Sequence, residues 1–227
     1  MIARLISSIE IAPAVRHFVF EAESELSFIP GQFVSFVASI EGKEITRAYS
    51  LAAAPHDSRR FELCLNLVPD GHISRLLFAM EPGDTIAMLP PLGMFVLRHP
   101  EREAVFIATG TGIAPFRAML QAHLRPGSRA FTLLFGVRYE STILYRAEFE
   151  QMAMQFPQFR FWPTLSRPEP EWTGRSGHVQ THLGEAIGAR RDLDVYLCGL
   201  KLMVDEVRSI LKGMGLDRKQ IFYEKYD

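Results

Sequence analysis

The sequence predicts two domains, an antiparallel β-barrel over residues 1–99 and an α/β doubly wound parallel sheet over residues 100–227. Three observations carry that expectation. At 227 residues the chain exceeds the usual single-domain range. Its first hundred residues read as short strands rich in Val, Phe, Ile and Leu, punctuated by Pro and Gly. From about residue 102 continuous apolar runs alternate with stripes of helical spacing, the strand-helix-strand order of a parallel sheet.

In the first half, VRHFVFEA (15–22), GQFVSFVASI (31–40) and RRFELCLNLV (59–68) are the strand segments. Pro30-Gly31, Pro55 and Pro69-Asp70-Gly71 break them. Strands at this spacing suit a small antiparallel barrel. One helix is expected over residues 74–80, ahead of the Pro82-Gly83-Asp84 turn.

The second half opens with AVFIATG (104–110), an unbroken apolar run ending in glycine, as in a buried parallel strand. Phe116, Met119, Leu120 and Leu124 follow at helical spacing. FTLLFGV (131–137), FRFWPTL (159–165) and DVYLCG (194–199) are further strands. Val179, Leu183 and Ile187 form one helical stripe, and Met203, Val207, Ile210, Leu211 and Met214 another. No internal repeat or low-complexity tract interrupts this order.

Composition narrows the function. A formal net charge of −1 argues against nucleic acid, whose phosphates call for concentrated Lys and Arg. Two cysteines are too few for a thiolate-held iron–sulfur cluster or a Cys-rich zinc site. No stretch approaches the ~18 apolar residues of a membrane span, and the N-terminus lacks a signal-peptide core. A soluble, cytoplasmic, monomeric protein without bound metal is expected.

Five segments bear on chemistry. In Arg47-Ala48-Tyr49-Ser50, an arginine can chelate a pyrophosphate through paired N–H donors. Tyr49, two residues along the strand, shares its face and can offer a ring to a flat cofactor, while Ser50 faces the other way. The same four residues also fit a half-buried strand with a stray arginine. Cys64-Leu65-Asn66 leads to a Gly turn that opens a helix at His72-Ile73-Ser74, where free N–H groups and the helix dipole favour an anion. A plain capped turn would look similar. Thr109-Gly110-Thr111-Gly112-Ile113-Ala114-Pro115 sits between a buried strand and an amphipathic helix, the context in which glycines let backbone approach dinucleotide phosphates. Arg138, Arg167 and Arg175 follow successive elements near the carboxyl ends of strands, where an open α/β sheet binds ligands. They could meet the extra phosphate of an NADP ribose, or be ordinary surface arginines. Cys198-Gly199 ends a strand at the same edge, and Phe222-Tyr223-Glu224-Lys225-Tyr226-Asp227 follows at the C-terminus.

Taken together and in this order, these segments resemble the ferredoxin–NADP reductase family, particularly its compact bacterial branch, over nearly the whole chain. The resemblance implies an FAD-binding barrel followed by an NADP(H)-binding sheet. Arg47, with Ala48 beside it, would hold the FAD pyrophosphate, Tyr49 would stack on the isoalloxazine, and Ser50 would lie near its N5. Cys64, Leu65, Asn66, His72, Ile73 and Ser74 would line the rest of FAD. Gly110, Thr111 and Gly112 would form the phosphate loop, with Thr111 meeting the flavin. Val137, Arg138, Ser166, Arg167 and Arg175 would hold the adenosine phosphate. Cys198 and Gly199 would flank the nicotinamide, with Glu224 as a proton relay. The C-terminal tail would return to the flavin, Tyr226 and Asp227 covering the face that nicotinamide must reach. Ser50, Cys198, Glu224 and Tyr226 are thus the expected catalytic set.

The implied activity is electron transfer between NADP(H) and a small one-electron carrier, ferredoxin or flavodoxin, through FAD. Two departures stand out. Leu200-Lys201-Leu202 occupies the stretch where relatives often carry a proline, and Asp227 stands where they have a second aromatic or a longer tail. Alternatives sharing the fold are a flavin reductase, an oxygenase-component reductase, and a non-catalytic FAD electron-transfer subunit.

Overall fold

The computed structural model describes residues 1–226. Met1–Leu97 with Ala114–Ala122 make one compact unit, and Arg98–Ile113 with the chain from His123 onward make a second.

The first unit contains β1 (Ile2–Ala12), β2 (Val15–Ala22), β3 (Phe33–Ile40), β4 (Lys43–Ser50), β5 (Arg60–Asn66), α1 (His72–Ala79) and β6 (Thr85–Leu92). The sheet runs β4-β3-β6-β1-β2-β5, every pair antiparallel. Its two outer strands meet through a Leu51–Leu63 bridge and an Ala52 N–H donated to Glu62 O at 2.8 Å, which closes the barrel. Alternation along β2 and β5 sends Phe18, Phe20, Phe61 and Leu63 inward, where Phe20 meets Phe36 and Phe61 with ring centres 5.1 and 5.5 Å apart. The β3–β4 hairpin turns on Glu41 and Gly42, both at positive φ (52° and 75°), the two-residue geometry whose twist matches paired strands. Helix α2 (Ala114–His123) clusters with this unit. Arg117 Nη1 donates to Ala52 O at 2.9 Å and to Glu62 Oε2 at 2.8 Å, and Gln121 Oε1 accepts from Ala54 N–H at 3.0 Å.

The second unit contains β7 (Glu103–Thr109), β8 (Phe131–Val137), α3 (Arg146–Gln155), β9 (Phe159–Leu165), β10 (Arg175–Ser176), α4 (Leu183–Ile187), β11 (Leu193–Leu200), α5 (Lys201–Gly213) and β12 (Ile221–Tyr226). All strands are parallel, in the order β10-β9-β8-β7-β11-β12. The chain leaves β7 toward β8 and β9, then returns to its other side with β11. The switch point therefore falls between β7 and β11. Val105, Ile107, Leu134, Val195 and Leu197 pack with Val179, Leu183, Val204 and Val207 into the core on one sheet face.

Several elements depart from the sequence expectation. The first helix starts at His72, two residues early, because Gly71 opens it. Val179, Leu183 and Ile187 are all buried, but the stripe is a 3-10 turn (Val179–His182) running into the short α4 rather than one helix. Strand β6 escaped notice because of Pro90-Pro91, which fall in a register shift where no ladder N–H is needed. Helix α3 buries only Phe149, so it presents no apolar stripe.

Candidate active site

Within the barrel, register sets Tyr49 opposite Val34 and Arg47 opposite Phe36, two fully buried residues, so Arg47 and Tyr49 belong to the core-facing side of β4. Arg47 is nonetheless exposed, its Nη1 donating only to Thr46 O at 2.9 Å, so this side of the barrel is open at that point. The Tyr49 ring is half-buried, 6.0 Å from Phe36. Burial pushes its phenol up to about 12 against the opposing pull of Arg47, so the hydroxyl remains a donor at neutral pH. Ala48 is exposed, and Ser50, on the other side, is buried.

Helix α1 packs against β3 and β4. No side chain caps it and its first turn holds no acid. The N–H groups of His72, Ile73 and Ser74 find no acceptor among the described residues. Ser74 turns its hydroxyl inward: Oγ accepts from Val68 N–H at 3.2 Å and lies 3.3 and 3.2 Å from the carbonyls of Val68 and Gly71. It ties the Pro69-Asp70-Gly71 turn. His72 is exposed and Ile73 buried. On β5, Cys64 and Leu65 are buried and Asn66 is exposed at the strand end.

The second unit builds its crevice at the switch point. Gly110 (φ 53°) begins a 3-10 turn through Thr111 and Gly112 to Ile113, which leads into α2. A Cβ on Gly112 would lie 2.3 Å from Cys198 O and 2.8 Å from Gly199 N, so the turn fits against β11 only as glycine. Gly199 (φ 145°) is bound similarly, its would-be Cβ 2.2 Å from Thr109 Oγ1. That hydroxyl is buried and has no partner among the described residues. The sequence reading gave Thr109 no role, although its place before the glycine turn marked it.

Cys198 is fully buried and sits opposite Glu224 in the β11–β12 register, with Tyr226 hydrogen-bonded to it. Burial raises the thiol well above its usual range and Glu224 raises it further, while the Tyr226 bond opposes them. Cys198 is therefore a neutral thiol. Residues through Tyr226 are a strand rather than a loose end. Asp227 lies outside the described residues.

At the carboxyl ends of β8 and β9 the ladder continues: Ser166 N–H donates to Val137 O and Arg167 N–H to Arg138 O, each at 3.0 Å. The exposed guanidinia of Arg138 and Arg167 are unpaired among the described residues. Arg175 stands apart. It pairs with Glu185 and lies over Trp162, two residues the sequence reading did not single out because each is unremarkable on its own stripe.

An open barrel face with an arginine and a ring, an uncapped helix terminus, and a glycine cradle at a parallel-sheet switch point define a flavin- and dinucleotide-binding oxidoreductase. Residues 2–97 match the oxidoreductase FAD-binding domain and residues 106–209 the oxidoreductase NAD-binding domain. A ferredoxin–NADP reductase B of Sorangium cellulosum is 41% identical over 99% of this chain and 97% of its own. The anthranilate 1,2-dioxygenase electron transfer component of Acinetobacter baylyi is 30% identical over 99% of this chain and 67% of its own. Among solved structures, an Amycolatopsis cytochrome P450 reductase superposes with a TM-score of 0.88 at 28% identity, covering 98% of this chain and 68% of that one. A Neisseria gonorrhoeae ferredoxin NADP+ reductase with bound FAD and NADP shares the fold, with a TM-score of 0.85 at 24% identity over 99% and 98% of the two chains. The chain belongs to the ferredoxin–NADP reductase family. Among the described residues no helix is long and apolar enough to cross a membrane, and no group of three or more His, Cys, Asp or Glu could hold a metal.

Proposed function

We propose that this protein passes electrons from NADPH to a small one-electron carrier protein, ferredoxin or flavodoxin, through FAD. The observation that carries this reading is the end-to-end match to a ferredoxin–NADP reductase at 41% identity. The chain's two cysteines cannot ligate a four-thiolate iron–sulfur cluster, so these 227 residues hold no such onward carrier of their own.

The residues present fit both nucleotides. Arg47 and the free N–H groups of His72, Ile73 and Ser74 would hold the FAD pyrophosphate, the arginine by charge and the helix terminus by its dipole. Tyr49 would offer its ring to the isoalloxazine and Ser50 its hydroxyl near N5, with Cys64, Leu65 and Asn66 behind them. Gly110, Thr111 and Gly112 would admit the NADP pyrophosphate. Val137, Arg138, Ser166 and Arg167 would meet the adenosine end, with Arg175 further along. FAD, when bound, supplies conversion of a two-electron hydride donor into single electrons. Cys198, held neutral, would flank the nicotinamide without a charge of its own, and the Glu224 carboxylate beside it is the candidate proton relay. Tyr226 would cover the ring until nicotinamide arrives.

The oxygenase-linked relative supports a second reading, in which the acceptor is an oxygenase component. Both are tested together. Chromatography of flavin released from purified protein should give FAD. NADPH oxidation should accelerate saturably with ferredoxin or flavodoxin. Protein that holds no flavin but reduces free flavin, or that responds to neither carrier, refutes the proposal.

A further inference from the structure

Of Arg138, Arg167 and Arg175, only Arg175 holds an anion among the described residues. Its Nη2 lies 2.5 Å from Glu185 Oε1 and its Nε 3.4 Å from Oε2. The guanidinium carbon stands 3.9 Å from the Trp162 ring centre, and Trp172 Nε1 donates to Arg175 O at 2.9 Å, which fixes the backbone. Glu185 thus presents two oxygens to the arginine fork, the geometry a phosphate would use. Its carboxylate is more than half exposed, so a ligand can reach the pair from solvent. Arg138 and Arg167 offer the contrast: exposed, and unpaired among the described residues.

We propose that Glu185 is a specificity-determining residue, an internal competitor with the ribose 2′-phosphate for Arg175. The proposal rests on the reading that these arginines face the adenosine end of NADP. A 2′-phosphate reaching Arg175 must displace the carboxylate or bind beside a like charge, whereas a 2′-hydroxyl faces neither cost. Glu185 therefore holds down the preference for phosphorylated nucleotide that Arg138 and Arg167 favour. The hydrogen bond from Arg175 keeps the Glu185 carboxyl below the usual range, with His182 adding a smaller pull, so mild acid does not relieve the competition. The rival account is a strut in which the pair merely ties β10 to α4.

The test uses FAD-loaded protein and tryptophan fluorescence, since Trp162 lies directly under Arg175. Adenosine 2′,5′-bisphosphate and AMP are titrated separately. Glu185→Gln should tighten bisphosphate binding about two- to fivefold and leave AMP unchanged. In an Arg175→Ala background the same substitution should gain nothing. Steady-state KM for NADPH should fall in Glu185→Gln while that for NADH holds. A change that is equal for both ligands, absent for both, or retained without Arg175 overturns the proposal; a lowered Tm with unchanged discrimination establishes the strut. The underlying reading fails separately if Arg138→Ala/Arg167→Ala leaves bisphosphate and AMP binding in their original ratio.

Discussion

Gly112→Ala tests whether the nucleotide crevice depends on contact between the glycine turn and the end of β11. The added methyl carbon would lie 2.3 Å from Cys198 O, 2.6 Å from Cys198 C and 2.8 Å from Gly199 N. All three are backbone atoms on a central strand hydrogen-bonded to both β7 and β12, so no rotamer change relieves the overlap. Restoring ordinary contact near 3.5 Å needs a shift of about 1 Å, and overpacking of this kind costs about 1–3 kcal/mol. In a chain of this size that lowers Tm by about 3–10 °C. The displaced turn should also raise KM for NADPH while flavin content stays at the wild-type level. Gly110→Ala is the control: no atom lies within 4 Å of its would-be Cβ, but φ is 53°. Its cost is left-handed strain of about 1–2 kcal/mol, which Asn should partly recover. Thermal denaturation and NADPH kinetics on the three variants decide the matter. A Gly112→Ala protein with unchanged Tm and KM would refute the close-approach reasoning.

Three further outcomes are expected. Arg138→Ala with Arg167→Ala should weaken NADPH binding about tenfold or more while leaving NADH nearly untouched, and equal loss with both nucleotides would contradict the phosphate role. Tyr226→Ala should tighten oxidised NADP binding about two- to tenfold by removing a competing ring, whereas Tyr226→Phe should not; identical behaviour of the two variants would withdraw the stacking role. In a spectrophotometric titration of flavin-free protein, Tyr49 and Tyr196, both pushed up to about 12 by burial, should ionise above the ordinary phenol range. The unfolded phenols ionise near 10, so the folded state holds more protons between about 10 and 12, and stability falls as pH rises through that window. A single transition near 10 would show that neither ring is shielded.

The fold class was legible because it rests on local periodicity. Period-two strands broken by Pro and Gly, then apolar runs alternating with helical stripes, are written residue by residue. Strands β1, β10 and β12 were not anticipated either, and two of the missed elements carry no local signal. Strand β6 hides behind two prolines placed in a register shift, and α3 has one buried side chain. The motif residues were equally legible as types: arginine before tyrosine and serine, glycines between strand and helix, cysteine at a strand end.

What each residue faces was decided only by the tertiary structure. Sequence spacing put Arg47 and Tyr49 on one side of a strand, but only β3–β4 register shows that side to be the core face, open at Arg47. The three arginines looked equivalent along the chain. Folding leaves two of them unpaired among the described residues and brings Glu185, ten residues from Arg175, within 2.5 Å of the third. Nothing local in the tail marked a pairing partner, and parallel pairing with β11 makes residues through Tyr226 a strand beside Cys198. By itself the sequence determined the order of elements and the chemical types at the sites, since propensity and periodicity are properties of neighbours along the chain. Pairings, burial and the resulting shifts in acidity waited for the fold, because they are set by groups tens of residues away that only packing brings into contact.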